Sequence, residues 1–321
     1  MAFLLVSPVE PAHVWEPALC RHIPDMDLRV WDCDADDGGP GVGNRADITY
    51  VLAAEPPPGV ISRRNFPNLK AIFGLWAGVD KMLSDETFPR DVPYARLVDA
   101  GLKTGMAEYM TAWALHFHRG FHILAGQQKR HAWKEIFPAP DTRARRIGIL
   151  GLGELGGATA GMLRAVGFAD IAGWSRTEKQ VPGVKSFFGQ DQLAAFLNRT
   201  EILIALLPLT GETDGILDAE TIAELPEGAV LINAGRGRHV VAGDLVAALD
   251  SGHLAGAVLD VFATEPLPAA SPLWDHPKLV ITPHTASLSM PDIAAGEIAA
   301  NLRRLEAGEA LTGRVDWTRG Y

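Results

Sequence analysis

The chain of 321 residues is poor in several things, and each shortage excludes something. It has two cysteines, Cys20 and Cys33, with no metal-ligand spacing around them, a count that fits a reducing cytoplasm. Lys and Arg total 29 against 39 Asp and Glu, a net charge of -10. So little positive charge argues against nucleic acid or an anionic membrane as partner. The basic cluster Arg143-Ala-Arg145-Arg146 is short and reads as a solvated loop edge. No apolar run approaches the roughly 20 residues that span a bilayer. The opening MAFLLVSPVEP lacks a basic region ahead of its short apolar run, so it reads as a first strand and not a signal peptide. No internal repeat of solenoid period is present.

What is present is alternation. At 47% hydrophobic, the length allows two domains with ordinary cores. AFLLVSP, LRVWD, ITYVLAA, LKAIFGLW and YARLVD read as strands, with AHVWEPALCRHI a helix between the first two. Strand and helix in turn predict a parallel sheet. Residues 102–133 contain no proline and read as one long helix, with Gly120 the place for a kink. His118 and His122 would lie four apart on it, a spacing that can chelate a metal, but no third ligand is near and packing is the expectation. A second series follows: RRIGILGLG, DIAGWSR, EILIALLPL, AVLINAGRG, GAVLDVF and KLVITPH are runs typical of strands buried on both faces. Helices are expected over 155–166, 190–197, 219–225 and 242–250, and a last amphipathic helix begins near Pro291.

GLGELG places Gly151, Gly153 and Gly156 in G-x-G-x-x-G spacing, directly after an apolar run and directly before a helical one. In that context the pattern predicts a dinucleotide site. Gly151 permits the turn, Gly153 lets backbone approach the pyrophosphate, and Gly156 lets the helix pack on the strand. The following strand ends at Ser175, 19 residues after Gly156, where an acid normally grips the ribose of NAD. No carboxylate is there. Ser175, Arg176 and Thr177 offer two hydroxyls and a guanidinium, which suit the 2′-phosphate of NADPH better than NADH.

Arg236 in INAGRG, Glu265 in DVFATEPLP and His284 in ITPHTAS lie at the ends of successive strands. The carboxyl edge of an open α/β sheet is where ligands bind. An Arg to hold a carboxylate and polarise a carbonyl, a His to give a proton, and an acid to orient the His are the parts needed for hydride transfer to a carbonyl.

These segments, with LDVFATEPLPAASPLWDHPKLVITPH, LVAALDSGHLAGA, WSRTEK and GRVDWTRGY, resemble the D-isomer-specific 2-hydroxyacid dehydrogenase family over nearly the whole chain. Within that family they look most like a branch that reduces glyoxylate and hydroxypyruvate. The resemblance implies an α/β fold of two doubly wound parallel-sheet domains, one Rossmann-type for the cofactor and one flavodoxin-like for the substrate, with a cleft between them. It places the first segment of the substrate domain at 1–101, the dinucleotide domain at 102–284, and a returning C-terminal helix at 285–321. Arg236, Glu265 and His284 take the catalytic positions. Gly151, Gly153, Leu155, Gly156, Ser175, Arg176, Thr177 and Asp260 take cofactor positions, with Asp260 near the nicotinamide amide. Ala77, Gly78 and Val79 offer N–H groups to the substrate carboxylate alongside Arg236. A homodimer built partly on the long helix after Thr104 is also implied; the cysteine count places it in the cytoplasm, and no metal is expected.

Three positions depart from the family's usual pattern: Gly235 before the Arg, Trp76 in the substrate loop, and Met290 near the active-site rim. Trp76 could wall off a small pocket or line an apolar one. Two other readings therefore stand beside the NADPH-dependent reductase. One is an NAD-linked dehydrogenase for a larger aromatic or branched 2-oxoacid. The other is a dinucleotide-sensing corepressor, which would bind cofactor and consume none.

Overall fold

The computed structural model describes residues 1–136 and 141–320; Tyr321, the last residue of the GRVDWTRGY tail, lies outside them. In chain order the first elements are β1 (Ala2–Val6), α1 (Ala12–His22), β2 (Asp27–Val30), β3 (Ile48–Ala53), β4 (Ala71–Gly74), α2 (Asp80–Ser84) and β5 (Tyr94–Ala95). Two helices follow, α3 (Ala100–His118) and α4 (Phe121–Lys129). Next come β6 (Arg146–Leu150), α5 (Glu154–Ala165), β7 (Asp170–Ser175), β8 (Lys185–Phe188), α6 (Leu193–Leu197) and β9 (Ile202–Ala205). The chain continues through α7 (Ala219–Ala223), β10 (Ala229–Asn233), α8 (Ala242–Ser251), β11 (Leu254–Leu259) and β12 (Leu279–Ile281), and closes with α9 (Pro291–Glu306).

The chain forms two compact units, Met1–Leu102 with Ser289–Tyr321, and Lys103–Leu288. The first unit holds a five-stranded sheet in the order β2-β1-β3-β4-β5, the second a seven-stranded sheet in the order β12-β11-β10-β9-β6-β7-β8. Every strand pairing in both is parallel. These are the flavodoxin-like and Rossmann strand orders respectively.

The side-chain period of two explains why the strands read as unbroken apolar runs. In β1, Phe3 and Leu5 face a core shared with Trp15 and Leu19 of α1 and with Ala294, Ile298 and Leu302 of α9. Leu4 and Val6 face the opposite side, against Phe66, Met82 and Phe88. The seven-stranded sheet divides likewise. Ile147 and Ile149 of β6 pack with Met106, Met110, Ala114 and Phe117 of α3 and with Ala160 and Leu163 of α5. Leu150 turns to the side covered by Phe196, Ile222, Leu245 and Leu249. Since helices cover both faces, neither face needs a polar alternation.

The stretch read as one helix is two. Gly120 has φ 67°, the left-handed conformation that ends a helix, so the chain breaks there and does not merely kink. His118 and His122 consequently sit on different helices, and their four-residue spacing does not place them on a common helical face. Among the described residues no group of three His, Cys, Asp or Glu is arranged to hold a metal. No helix among them is long and apolar enough to cross a membrane.

Candidate active site

The seven-stranded sheet reverses its strand order between β6 and β9, and the glycine turn leaves β6 at that point. Gly151 has φ 102°, and a Cβ built on it would lie 2.7 Å from the Leu206 carbonyl oxygen at the end of β9. At Gly156 a Cβ would come 1.9 Å from the Gly151 oxygen, so α5 could not approach the turn with any side chain there. Gly153 differs: a Cβ there meets no protein atom within 4 Å. The fold itself leaves that position open, as a backbone-to-pyrophosphate approach requires. Gly153 is the N-cap of α5, and no side chain caps it. The first-turn N–H groups of a twelve-residue helix, and its positive dipole end, are therefore presented where an anion would sit. Leu155 is half-buried in that first turn. These residues fit a dinucleotide.

At the end of β7, Ser175 is buried and its hydroxyl donates to the Thr177 carbonyl at 2.8 Å, closing the tip. Arg176 and Thr177 are exposed.

Three neighbouring strands, β10, β11 and β12, carry the proposed chemical groups past their carboxyl ends. Arg236 follows β10, half-buried. Its backbone is fixed from both sides. Asn233 Nδ2 donates to the Arg236 carbonyl at 3.0 Å, and the Arg236 N–H donates to His239 Nδ1 at 3.1 Å. His239 is fully buried with its other ring nitrogen 3.2 Å from the Pro208 carbonyl. These partners require a neutral ring with the proton on Nε2. A Cβ on Gly235 would lie 3.1 Å from that ring, which gives the departure at Gly235 a physical reason. Sequence reasoning missed His239, which carries no local signature. Asn233 was detectable as an Asx residue two before a glycine at a strand end: its Oδ1 accepts from the Gly235 N–H.

Beyond β12, His284 Nδ1 lies 2.7 Å from Glu265 Oε2. The Glu265 hydrogen bond and charge raise the His284 pKa above its ordinary value, against burial and the positive charge of Arg236. Burial pushes the Glu265 pKa up, but the His284 hydrogen bond, the Phe262 N–H and the charges of His284 and Arg236 outweigh it, and it is lowered. Arg236, Glu265 and His284 thus feel one another.

His284 itself has φ 54°, uncommon for a residue with a side chain. Asp260, 1% exposed, holds the turn in that shape. Its carbonyl accepts from the His284 N–H at 2.8 Å. Its carboxylate accepts from the Thr282 hydroxyl at 2.5 Å and from the Thr285 and Ala286 N–H groups at 2.9 Å each. Tyr109 of α3 extends the chain, with its hydroxyl 2.6 Å from Thr282 Oγ1. Neither Tyr109 nor Thr282 was anticipated, since 173 residues separate them.

In the first unit, Ala77, Gly78 and Val79 follow β4 and lead into α2, with Ala77 and Gly78 half-buried and Val79 buried.

A Rossmann-order sheet with a glycine turn at its switch point and a His–Glu pair on the same edge defines the class: a dinucleotide-dependent oxidoreductase. Comparison with known proteins narrows it. The chain belongs to the D-isomer specific 2-hydroxyacid dehydrogenase family, whose NAD binding domain matches residues 111–286. Glyoxylate/hydroxypyruvate reductase A of Serratia proteamaculans is 42% identical, with all of both chains covered. Among solved structures, a D-isomer specific 2-hydroxyacid dehydrogenase of Xanthobacter autotrophicus Py2, in complex with NADPH and MES, is 41% identical. It superposes with a TM-score of 0.94 over 100% of this chain and 99% of that one. The NADPH-dependent glyoxylate/hydroxypyruvate reductase of Sinorhizobium meliloti, in complex with NADP and sulfate, is 34% identical, with a TM-score of 0.89 over the same shares.

Proposed function

We propose that this chain reduces small 2-oxoacids, glyoxylate and hydroxypyruvate among them, to D-2-hydroxyacids with NADPH. The observation that carries the reading is the 2.7 Å pair of His284 and Glu265. Arg236 is close enough to shift the pKa of both groups, on the edge that also bears the glycine turn. The reductase relatives and the NADPH-bound neighbour support the substrate class and the cofactor.

NADPH supplies the hydride when bound. Arg236 takes the substrate carboxylate and polarises the carbonyl with its planar fork. The N–H groups of Ala77, Gly78 and Val79 also donate to the carboxylate. With Nδ1 held by Glu265, His284 gives its Nε2 proton to the carbonyl oxygen, and Glu265 keeps the charged imidazole populated for that step. Gly151, Gly153, Leu155 and Gly156 would hold the pyrophosphate, and Asp260 would serve the nicotinamide end. Arg176, with Thr177, would take the 2′-phosphate, on a tip that Ser175 closes. Because the Ser175 hydroxyl already donates to the Thr177 carbonyl, Arg176 carries most of that contact.

We place the enzyme in the cytoplasm, in keeping with its two free cysteines. We also assign it a homodimer, supported by apolar surface on and after α4: Trp133 is 99% exposed, and Phe121 and Ile123 are about half exposed. Light scattering that gives a monomer mass would remove the dimer.

The test of function is to follow NADPH and NADH oxidation with glyoxylate, hydroxypyruvate, pyruvate and phenylpyruvate. NADPH with the first two should give the highest kcat/KM. Preference for NADH and phenylpyruvate would favour the larger-substrate dehydrogenase. Cofactor binding without any turnover would favour a sensor.

A further inference from the structure

Trp76, in the loop after β4, stands where a small residue was expected, and its surroundings give it a task. Its indole Nε1 donates to Glu10 Oε1 at 2.6 Å. The other oxygen of the same carboxylate, Oε2, accepts from Trp15 Nε1 at 2.7 Å. Trp15 lies in α1 and is fully buried, so it is a fixed anchor. Glu10 is set in turn by its own N–H, which donates to Ser7 Oγ at 2.9 Å.

Glu10 follows β1 and Trp76 follows β4, and β3 lies between those strands. The carboxylate therefore bridges the carboxyl edge of the five-stranded sheet. The Trp76 backbone is pinned as well. Its carbonyl accepts from the Leu97 N–H at 3.0 Å, and on Leu75 before it the carbonyl accepts from Ser289 Oγ at 2.8 Å. The ring packs partly buried against the core beneath. Held at the backbone, the ring face and the indole nitrogen, this side chain cannot swing aside for a larger neighbour.

We infer that Glu10 is a positioning residue: it fixes the Trp76 indole beside the Ala77–Val79 N–H groups and so limits the size of the 2-oxoacid side chain. The inference rests on the reading that those N–H groups receive the substrate carboxylate. An ionised carboxylate has acceptors only, so it satisfies two indole donors at once. Gln would set an NH₂ against one of them.

The test combines selectivity with a spectrum. Glu10→Gln, Trp76→Phe and the double variant are assayed with NADPH and either glyoxylate or phenylpyruvate. Indole N–H resonances are recorded on ¹⁵N-tryptophan protein. In Glu10→Gln, indole resonances assigned to Trp15 or Trp76 should shift. The kcat/KM ratio of phenylpyruvate over glyoxylate should rise about tenfold, chiefly through KM, with KM for NADPH unchanged. Trp76→Phe keeps an aromatic ring, loses the donor, and should give the same rise without touching Glu10. The double variant should add nothing further. Unmoved indole resonances, an unmoved ratio in both single variants, or a full Glu10→Gln effect persisting in the Trp76→Phe background would each overturn this inference alone. Wild-type protein that consumes neither cofactor with any 2-oxoacid overturns the functional reading and this inference with it.

Discussion

The turn after β12 and the tip after β7 end two strands of one sheet, and they are built on opposite plans. Around His284 the protein supplies the partners itself. Glu265 takes the ring, and buried Asp260 takes the backbone of His284, Thr285 and Ala286. Around Arg176 it supplies little enclosure: Arg176 and Thr177 are exposed, and Ser175 closes its own loop. The difference follows from what each must do. A proton donor acts through its direction and its pKa, and both need fixed neighbours. A phosphate brings its own charge and acceptors, so an exposed guanidinium can receive it with parallel hydrogen bonds.

Removing the group at the fixed end should have the largest effect. His284→Ala should lower kcat by about 10²–10⁴ with cofactor affinity nearly unchanged. Wild-type turnover in that variant would take His284 out of the mechanism and leave the Asp260 scaffold without its proposed purpose.

At the solvated end the effect should be smaller and selective. Arg176→Ala should weaken NADPH by about ten- to a hundred-fold and leave NADH nearly untouched. Kd for both cofactors at one fixed salt concentration measures it, because the contact is ionic. Ser175→Ala sharpens the contrast. Its hydroxyl supports the tip, so the loss should be only a few-fold and shared by both cofactors. Equal losses in Arg176→Ala would make the Arg a loop support, and the 2′-phosphate assignment would fall.

The third prediction tests whether Glu265 tunes His284 as well as aiming it. The folded pKa of His284 is raised, so its protonated form persists to higher pH than an ordinary histidine's. Reduction should therefore hold at low pH and fall as pH rises through that raised value. In Glu265→Gln the two larger raising influences go, and burial and Arg236 then lower the pKa against the weaker Asp260 charge alone. The alkaline limb of kcat should move to lower pH, and the rate at the acid plateau should change far less. A limb that stays in place would mean that Glu265 only orients the ring.

These contrasts also mark what the sequence could tell. The glycine turn was legible because its demands are local. A carbonyl at Leu206 and a tight helix approach forbid a Cβ, and only glycine meets them. Most strands were legible because both faces of each sheet are covered, leaving apolar runs. The edge strand β8, KSFF, was missed because only Phe187 is buried in it. The long helix was read through Gly120, since periodicity continues across a residue whose φ breaks it. Arg236, Glu265 and His284 could be named from their places after strands. Asp260 was placed by family pattern, but its office as anchor of the His284 turn was invisible, because its donors lie 22 to 26 residues on. Tyr109 and His239 had no signal: each acts through a contact that exists only after folding.

Tyr109 supplies the smallest and last test, since it stands farthest from the chemistry along the same hydrogen-bond chain. Thr282 donates its one hydroxyl proton to Asp260. Tyr109, at 2.6 Å from the Thr282 oxygen, must then be the donor to it. Burial first, and the nearby Asp260 charge, push the phenol up to about 12, so it remains a donor at any working pH. Tyr109→Phe removes that donor and leaves Thr282, with its bond to Asp260, in place. The loss is one net hydrogen bond, about 0.5–1.5 kcal/mol of stability. A fall of a few degrees in Tm and a loss of less than about tenfold in kcat should follow. The alkaline limb of the pH profile should stay where it is, because Glu265 and His284 keep their pair. If kcat instead fell as far as in His284→Ala, the turn would not be self-sufficient. Its fixed shape would then depend on α3, and the contrast with the solvated tip would be one of long-range support instead of local enclosure.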